Sequence, residues 1–414
     1  MSDQRSIVLI TTGQPSTNPR LVKEAISLIE NGYKVAVIYS FWVQWADKND
    51  EIIKNENRQI QWYCVGGHPI HTPIYYWYTR LRYKVYKSMA AKCASAIYWQ
   101  QRAAFRCFNE AKKMASSLKG DLFIAHNLGA LPVAAIAAKK KNAQLGFDFE
   151  DYYVGQTIDD REYVAQVNLL EANYLEQTNY TTAASPLIAA IYKKQYPFLN
   201  TVTINNTFSV NYINKNPALY AKGATLKLFW FSQTVGKNRG LEELIEAIGL
   251  IKNLPVSLTI LGSCSKEITN YFDDIAVTFY IEPETIKYIE PVGLQELFAI
   301  AGEHHIGMAS EVEASLNRQI CLTNKLFTYL LSGLALIVTQ TKAQQFFLDE
   351  NPLIGVSYEA GNIEKLASLI QAYFENPDLL NVHRAASWQL AHNKMNWEKE
   401  EKIFLNIINQ TLDF

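Results

Sequence analysis

The chain has 414 residues, enough for two or three domains that each bury a hydrophobic core of ordinary size. Its 39 basic and 40 acidic side chains nearly balance, and 49% hydrophobic with 19% charged residues is typical of a soluble globular protein, so no global charge indicates a nucleic-acid partner. The five cysteines form no CxxC pair, which argues against a disulfide framework or a zinc knuckle and favours a cytoplasmic protein. The first apolar run, IVLI, is too short for a signal peptide or a spanning helix, so we expect neither secretion nor membrane insertion.

Two segments have the pattern of a βαβ unit. In the first, strand SIVLITTG precedes the amphipathic helix PRLVKEAISLIENG, and KVAVIYS begins the next strand. In the second, between residues 226 and 262, strand LKLFWFS is followed by the polar loop QTVGKNRG, helix LEELIEAIGLIKN and strand VSLTILG. Because each unit opens its own half of the chain, we predict two doubly wound α/β domains rather than one large sheet.

Further short apolar runs predict the remaining strands. They are DLFIA (121–125), AQLGFDF (143–149), TVTINN (201–206), TFYIEPE or KYIEP, HIGMAS (305–310) and LALIVT (334–339). Regular apolar patterning gives way to Asn, Pro and Gly between 203 and 223, which indicates a domain boundary. We therefore predict an N-terminal domain over 1–207, a C-terminal domain over 208–394, and a last helix in 395–414 that crosses back to the N-terminal domain.

Residues 74–113 differ from the rest of the chain in charge and aromatic content. They contain nine Lys or Arg, one Glu and ten aromatic residues. One interpretation is a peripheral contact with anionic lipid, because cations gain from the surface potential while Tyr and Trp prefer the interface. The other is an ordinary helix pair with solvated cations and core aromatics, and the sequence leaves both open.

Polar residues follow the predicted strands, which is where open α/β sheets bind ligands. In the first half they include Gly13, His126 with Asn127, and Glu150 with Asp151; in the second they include residues 232–239 and 310–313. Neither glycine-rich phosphate fingerprint is present, which weakens both a hydride-transfer and an ATPase interpretation. His68 and His71 have no Cys, Asp or Glu near them in sequence, so we predict no metal site.

Cations of the second half suggest an anion site. Lys237 and Arg239 lie in a loop before one helix, while Asn324 and Lys325 begin another. Backbone N–H groups at a helix N-terminus together with nearby cations bind phosphate or diphosphate, although each cation alone is more often a solvated surface residue. His126 follows a buried strand, where a histidine satisfied by its neighbours is the common alternative to a functional one.

In this order, the segments resemble a retaining glycosyltransferase of the GT-B type, similar to the large family 4-like group. The resemblance covers nearly the whole chain and is carried by TNPRLVKEAISLIENGYKVAVI, AHNLGALPVAAIAA, FDFEDYYVGQ, INN, FSQTVGKNRGLEELIEAI, IEPVGLQELFAIAGEHHIGMAS and NKLFTYLLSGLALIV. It implies two facing Rossmann-like domains, a nucleoside diphosphate sugar as donor substrate, and no cofactor or metal.

The resemblance also implies roles for individual residues. His126 and Glu311 would lie at the reacting sugar, with Glu313 as a rival to Glu311. Lys237 and Arg239 would stabilise the leaving diphosphate. The full set implied on the donor side is Ser232, Gly236, Lys237, Arg239, Val292, Asn317, Asn324, Lys325 and Thr328. The set implied on the acceptor side is Gly13, Arg20, Glu150 and Asp151.

One position departs from the family pattern. The pattern has two glutamates separated by seven residues, and the second, which binds the ribose, falls here on Thr328. A hydroxyl makes one neutral hydrogen bond where a carboxylate makes two charge-assisted ones, so nucleotide binding would weaken by ~1–3 kcal/mol without compensation.

The sequence therefore predicts sugar transfer from a nucleoside diphosphate sugar to a carbohydrate or lipid-linked acceptor. The expected setting is surface polysaccharide synthesis in the bacterial cytoplasm, in part at the inner membrane surface. Two alternatives remain: a sugar-nucleotide epimerase, and a non-catalytic protein that keeps the fold to bind a glycan or a partner, which Thr328 motivates.

Overall fold

Strong parallel pairing organises the chain into two sheets. The structure, a computed structural model, describes residues 4–213, 215–312 and 315–413. Contacts divide the chain into two compact units, one of Met1–Ile204 with Glu401–Phe414 and the other of Asn205–Glu400. We refer to these as unit 1 and unit 2. The functional assignments of the predicted domains remain predictions.

Unit 1 contains a parallel sheet in which seven strands are described. They are β1 (Ser6–Thr11), β2 (Lys34–Ser40), β3 (Gln61–Val65), β4 (Leu122–His126), β5 (Gln144–Phe149), β6 (Tyr180–Ala183) and β7 (Thr201–Thr203). Their order in the sheet is β3-β2-β1-β4-β5-β6-β7. Helices connect the strands: α1 (Pro19–Glu30), α2 (Ala46–Glu56), α3 (Pro73–Lys92), α4 (Ile97–Ala104), α5 (Phe108–Ser117), α6 (Leu131–Lys141), α7 (Arg161–Tyr174) and α8 (Pro186–Gln195).

Unit 2 contains a second parallel sheet with six described strands. They are β8 (Leu226–Thr234), β9 (Val256–Ser263), β10 (Ile286–Ile289), β11 (Ile306–Ala309), β12 (Ala335–Thr339) and β13 (Gly355–Tyr358), in the order β10-β9-β8-β11-β12-β13. Its helices are α9 (Leu241–Leu250), α10 (Lys266–Thr278), α11 (Leu294–Ala301), α12 (Leu316–Ile320), α13 (Asn324–Leu331), α14 (Lys342–Glu350), α15 (Ile363–Glu375) and α16 (Pro377–Asn393). The last helix, α17 (Trp397–Leu412), includes the end of unit 2 and the C-terminal segment of unit 1.

The central strands are buried because helices cover parallel sheets on both faces. Every residue of β1, β4, β11 and β12 is buried, and their sequences are accordingly near-continuous apolar runs. Helix α1 shows how local signals set the boundaries: Pro19 occupies its first turn, the Asn18 side chain accepts a hydrogen bond from the backbone N–H of Leu21, and Gly32 follows with a φ of 84°.

In each sheet the strand order reverses once. The reversal lies between β1 and β4 in unit 1 and between β8 and β11 in unit 2. Open α/β sheets bind ligands beyond the carboxyl ends of the strands at this point. In unit 1 it places Thr11 beside His126 at the ends of neighbouring strands.

The predicted doubly wound architecture is confirmed, and the structure settles or corrects several individual strands. The 201–206 run forms a strand only over Thr201–Thr203, and KYIEP rather than TFYIEPE supplies β10, since helix α10 extends to Thr278. Strands β3, β6 and β13 were not predicted. None of the described helices is long and apolar enough to cross a lipid bilayer.

Candidate functional site

A buried ionic network lies at the strand reversal of unit 1. The Arg20 guanidinium, on α1, donates from Nε and Nη2 to the two carboxylate oxygens of Asp148 at 2.5 and 2.8 Å. At the end of β4, His126 Nε2 is 3.0 Å from Glu24 Oε2 and its Nδ1 is 3.2 Å from Glu150 Oε1. The side chains of the first four residues are at most 2% exposed, whereas that of Glu150 is 23% exposed.

Neighbouring groups complete the network. The Thr182 hydroxyl donates to Asp148 at 2.6 Å, the Asn18 amide donates to Glu150, and Arg20 Nη1 donates to the carbonyl of Ile204. Helix α1, strands β4, β5 and β6 and the residues that follow β5 and β7 therefore contribute to a single set of ion pairs and hydrogen bonds. Such a set holds its members in one geometry, because a buried charge without its partners is costly.

The charges of this network determine its protonation. Burial of the His126 ring favours its neutral form, but Glu24, Glu150 and Asp148 outweigh burial and raise the pKa of His126 to about 10. Burial would likewise raise the pKa of Asp148, but Arg20 and His126 hold it below its ordinary value. With three carboxylates against one guanidinium, the imidazolium brings the net charge of the cluster to −1.

The geometry gives His126 and Glu150 different surroundings. Both ring nitrogens of His126 face carboxylates, and its side chain is fully buried. Glu150 is the solvent-facing end of the network, oriented by His126 and Asn18. The contact predicted between His126 and a donor sugar stays a prediction, while the contacts that the structure describes for this ring are with carboxylates.

Three ligand-type atoms lie close together inside this network. Glu24, His126 and Asp148 each offer one atom, and these lie within 4.8 Å of one another. Both carboxylate oxygens of Asp148 already accept from Arg20, and the raised pKa of His126 keeps a proton on the nitrogen that a metal would need. These residues therefore suit an internal ion network better than a cation site. Metal-independence itself stays a prediction.

The loops at the same edge of the sheet are joined by one glutamine. Gln14 Oε1 accepts from the backbone N–H groups of Trp42 and Val43 at 2.9 and 2.7 Å, and its Nε2 donates to Asp47 and Asp50. Next to Gln14, the carbonyl of Gly13 accepts a hydrogen bond from the backbone N–H of Ser40. The other acceptor-side prediction, Asp151, accepts from Gln156 Nε2 at 3.0 Å. Gly13, Arg20, Glu150 and Asp151 thus all lie in unit 1.

In unit 2, the loop after β8 packs against the end of β11. Arg239 Nη1 donates to Ser232 Oγ at 2.8 Å, and the carbonyl of Arg239 accepts from Ser310 Oγ at 3.3 Å. Gly240 has a φ of 78°, and a Cβ at this position would lie 2.4 Å from Ser310 Cβ, so the close approach requires glycine. Lys237 is exposed, with Nζ 4.0 Å from the ring centroid of Tyr271.

A second cation of unit 2 is paired with a predicted catalytic residue. Lys325 Nζ donates to Glu311 Oε1 at 2.8 Å and lies 4.8 Å from the ring centroid of the buried Trp230. The Thr339 hydroxyl makes two hydrogen bonds to the backbone of Glu311. It accepts from the N–H of Glu311 and donates to its carbonyl, each at 2.9 Å. The rival residue, Glu313, lies outside the described residues.

Helix α13 begins at Asn324, as predicted, and ends before Gly333, which has a φ of 65°. The N-cap residue Thr323 makes no side-chain capping hydrogen bond, and Asn324 is already helical, with its Oδ1 accepting from Asn206 Nδ2 at 2.6 Å. The first turn therefore keeps backbone N–H groups that have no acceptor within the helix.

The remaining donor-side predictions lie around this helix. Thr328 is fully buried, and its Oγ1 has no hydrogen-bond partner among the described residues. Asn317 is buried in α12, where its carbonyl accepts from Cys321 N. Val292 follows β10 and is half-buried, and Gly236 has open space where a side chain would be. All nine donor-side residues lie in unit 2.

Sequence reasoning missed three members of the unit 1 network: Glu24, Asp148 and Thr182. Glu24 stands four residues after Arg20 on the buried face of α1, which is otherwise formed largely by apolar residues. Two opposite charges at this spacing on an apolar face were a usable signal, because charged residues are rarely buried unless they are paired. Thr182 carries no such signal, since threonine is common in strands.

No protein-family model matches this sequence, and no curated protein is similar enough in sequence to match it. Among solved structures, HepE of Anabaena in complex with UDP and glucose is similar with a TM-score of 0.70 at 12% identity, covering 98% of this chain and 100% of HepE. Sucrose-phosphate synthase of Thermosynechococcus elongatus has a TM-score of 0.70 at 11% identity, covering 98% of this chain and 99% of the synthase. A variant of TarM from S. aureus, solved with fondaparinux, alpha-GlcNAc-glycerol and UDP, has a TM-score of 0.67 at 10% identity. The match covers 98% of this chain and 100% of the TarM variant. These likenesses over nearly the whole chain confirm the predicted GT-B fold.

Proposed function

We propose that this chain is a glycosyltransferase that moves a sugar from a nucleoside diphosphate sugar to a carbohydrate or lipid-linked acceptor. We further propose that the transfer retains the anomeric configuration, needs no metal, and serves surface polysaccharide synthesis in the cytoplasm. The single observation that carries the proposal is that two cations contact the residues at the strand reversal of unit 2, Arg239 at Ser232 and Ser310 and Lys325 at Glu311, with Lys237 in the same loop as Arg239.

A diphosphate is the ligand that best fits this group. Arg239 and Lys237 belong to the loop after β8, while Lys325 lies in the first turn of α13, whose N-terminal N–H groups favour an anion. Ligands of open α/β sheets bind at such a reversal. HepE and the TarM variant, which share this fold, were solved with UDP, and this supports a nucleoside diphosphate as the ligand.

The Lys325–Glu311 pair exchanges partners when the donor binds in this proposal. An ammonium has three donors, so Lys325 can take a phosphate oxygen while Glu311 turns one carboxylate oxygen towards a sugar hydroxyl. The two hydrogen bonds to Thr339 fix the Glu311 backbone during this change. In this proposal Lys325 binds the donor phosphate and Glu311 orients the donor sugar.

The proposed chemistry needs no dedicated base. The bond from the anomeric carbon to the diphosphate breaks, the acceptor oxygen bonds to the same face of that carbon, and the acceptor proton passes to the departing phosphate. Lys237 and Arg239 would stabilise the negative charge that develops on the leaving group, the electrostatic role that a metal fills elsewhere.

Unit 1 would bind the acceptor. Glu150 and Asp151, at the end of β5, offer carboxylate oxygens to acceptor hydroxyls, and Gly13 lies after β1 at the same edge of the sheet. His126 would act as a positioning residue for Glu150, since its imidazolium donates to that carboxylate. The buried Arg20–Asp148 pair keeps the network in place beneath.

Thermal shift with UDP, GDP, ADP and their sugars tests the donor site. A ligand at 100 times its Kd adds about 2.7 kcal/mol of stability, and loss of a charge-assisted hydrogen bond costs ~1.5–3 kcal/mol. Arg239→Ala should therefore weaken binding by about ten- to a hundredfold. Lys252→Ala is the matched control for Lys237→Ala, because each lysine lies over one tyrosine ring, at 4.8 and 4.0 Å. Absence of a shift with every nucleotide would refute the proposal.

The finer claims have their own assays. Proton NMR of the product distinguishes retention from inversion, and an unchanged rate in EDTA is expected for a metal-independent enzyme. Conversion of the nucleotide sugar to its epimer without an acceptor would favour the epimerase alternative. Nucleotide binding with neither transfer nor epimerisation would favour the non-catalytic alternative, which the buried Thr328 motivates.

A further inference from the structure

One face of α3 is exposed and covered by none of the residues that the structure describes, although it is strongly apolar. Ile74, Trp77, Tyr78, Leu81 and Val85 are 87, 61, 53, 67 and 52% exposed. At about 100° per residue their side chains fall within an arc of about 100°, which makes a continuous stripe along the helix. The opposite face is the one that packs on the protein, through buried residues such as Tyr76, Thr79 and Ala90.

Cations border this stripe without being neutralised. Arg80, Lys84 and Lys87 lie along one side of it, and Lys92 lies at its C-terminal end. All four are exposed, and none has a carboxylate partner among the described residues. The one acidic residue between 74 and 113, Glu110, is already bound to Arg82 at 2.6 Å and to the Tyr75 hydroxyl at 3.0 Å.

We infer that α3 docks this protein on the surface of an anionic lipid bilayer, with its apolar stripe at the headgroup boundary and its cations against lipid phosphates. A helix that lies in the interface needs an apolar face, basic residues beside it, and Trp or Tyr at headgroup depth. Each basic side chain near an anionic surface adds to the attraction. The chain as a whole carries a net charge of −1, so the attraction comes from this local surface rather than from global charge.

The docking surface is narrower than the basic and aromatic segment 74–113. Beyond α3, Arg102 donates to the Tyr98 carbonyl and stacks 3.5 Å from the centroid of the Tyr98 ring. Arg106 donates to the Gly66 carbonyl and to Thr79 Oγ1. Arg102 is thus engaged within α4, and Arg106, between α4 and α5, is engaged with Gly66 and with Thr79 of α3, so neither cation belongs to the docking surface.

The N-terminal end of α3 lies next to the edge of the unit 1 sheet at which we propose that the acceptor binds. The Tyr76 and Phe41 rings are 5.7 Å apart, so the loop after β2 contacts the start of α3, and His68 Nε2, in the segment before α3, is 3.0 Å from Asp47 Oδ2 of α2. This loop exposes Trp42 by 69% and Trp45 by 50%. An apolar cavity of about 540 Å³, lined by His71, Thr72, Pro73, Ile74, Tyr75 and Tyr78, opens at the same end. A protein docked through α3 thus presents that edge to molecules held in the membrane.

Vesicle co-sedimentation of the full chain without nucleotide tests the inference, and it is independent of the proposed sugar transfer. We expect pelleting with vesicles of phosphatidylcholine and 30% phosphatidylglycerol at low salt, and little with phosphatidylcholine alone. Lys84→Glu/Lys87→Glu and, separately, Leu81→Glu should each weaken binding at least tenfold. Lys140→Glu/Lys141→Glu, an equal charge change on the exposed end of α6, is the matched control and should bind like the wild type.

Four outcomes would overturn docking on anionic lipid. They are equal binding to both vesicle types, no binding to either, an equal loss in the α6 control, and a wild type that light scattering shows to be a dimer while Leu81→Glu is a monomer. The last outcome would assign the stripe to an interface between two copies of the chain. Because all substituted residues are exposed, circular dichroism should confirm that each variant folds.

Discussion

Replacing His126 by Asn removes one of two positive charges from a buried network that contains three carboxylates. The net charge of the network changes from −1 to −2, and Glu24 and Glu150 lose the partner that both face. A pKa of about 10 against an ordinary 6.5 corresponds to ~4 kcal/mol of stabilisation of the imidazolium at neutral pH. Breaking a buried ion pair typically costs ~3–5 kcal/mol, which is the same magnitude as the value obtained from the pKa of His126. We expect His126→Asn to lower the free energy of unfolding by about 4 kcal/mol at pH 7.

The pH dependence makes this prediction specific. Because the folded pKa of His126 lies above its unfolded value, the stabilisation is complete below pH 6.5 and is lost as the pH rises through 10. The difference in unfolding free energy between wild type and variant should therefore shrink between pH 7 and pH 10.5.

Urea unfolding followed by fluorescence at both pH values measures this difference. His71→Asn, at an exposed site, is the control and should behave like the wild type. NMR of the histidine side chains adds a direct test, since His126 should keep an imidazolium spectrum at pH 8. A neutral His126 ring at pH 8, or a difference that does not change with pH, would refute the reasoning.

Three further predictions concern single side chains. Burial raises the pKa of Glu171 to about 7, so the free energy of unfolding of the wild type falls as the pH rises from 4.5 to 7. Glu171→Gln should remove this fall and raise the free energy of unfolding by up to ~3 kcal/mol at pH 8, measured by urea unfolding. An unchanged dependence on pH would contradict this prediction. Gly240→Ala should lower the free energy of unfolding by ~1–3 kcal/mol more than Gly223→Ala does, because both glycines have a positive φ but only a Cβ at position 240 would meet Ser310. Equal losses of stability in thermal unfolding would contradict the close approach of Gly240 to Ser310. Thr328→Val should raise the melting temperature of the free protein, because a buried hydroxyl without a hydrogen-bond partner costs ~1–3 kcal/mol of stability. The same variant should show a smaller increase in melting temperature on addition of UDP. A lower melting temperature of the free variant would show that the hydroxyl has a partner.

The strands that the sequence revealed are those whose burial demands a continuous apolar run. β1, β4 and β12 are buried along their whole length and were read directly from the chain. The missed strands lack that signal for local reasons: β3 is at an edge and half-exposed, β6 reads YTTA, and β13 contains Gly355, whose missing Cβ lets the Leu336 backbone approach closely. Their strand character depends on neighbours that the sequence does not specify.

The same distinction applies to the candidate site. The rule that ligands bind beyond strand ends located His126, Glu150, Arg239 and Glu311 without coordinates, because strand ends are visible in the apolar pattern. The pairing of these residues was not visible. Lys325 and Glu311 are 14 residues apart and Arg20 and Asp148 are 128 apart, so only folding brings them within hydrogen-bond distance.

The sequence by itself determined the two βαβ halves, the loops that carry the site and the basic, aromatic character of 74–113, since each is written in local periodicity and charge. Only the tertiary structure decided which charges neutralise each other and which face of α3 remains exposed. The physical reason is that burial and ion pairing are properties of neighbours in space. Arg82 and Lys84 are alike in sequence context, yet Glu110 reaches only the first.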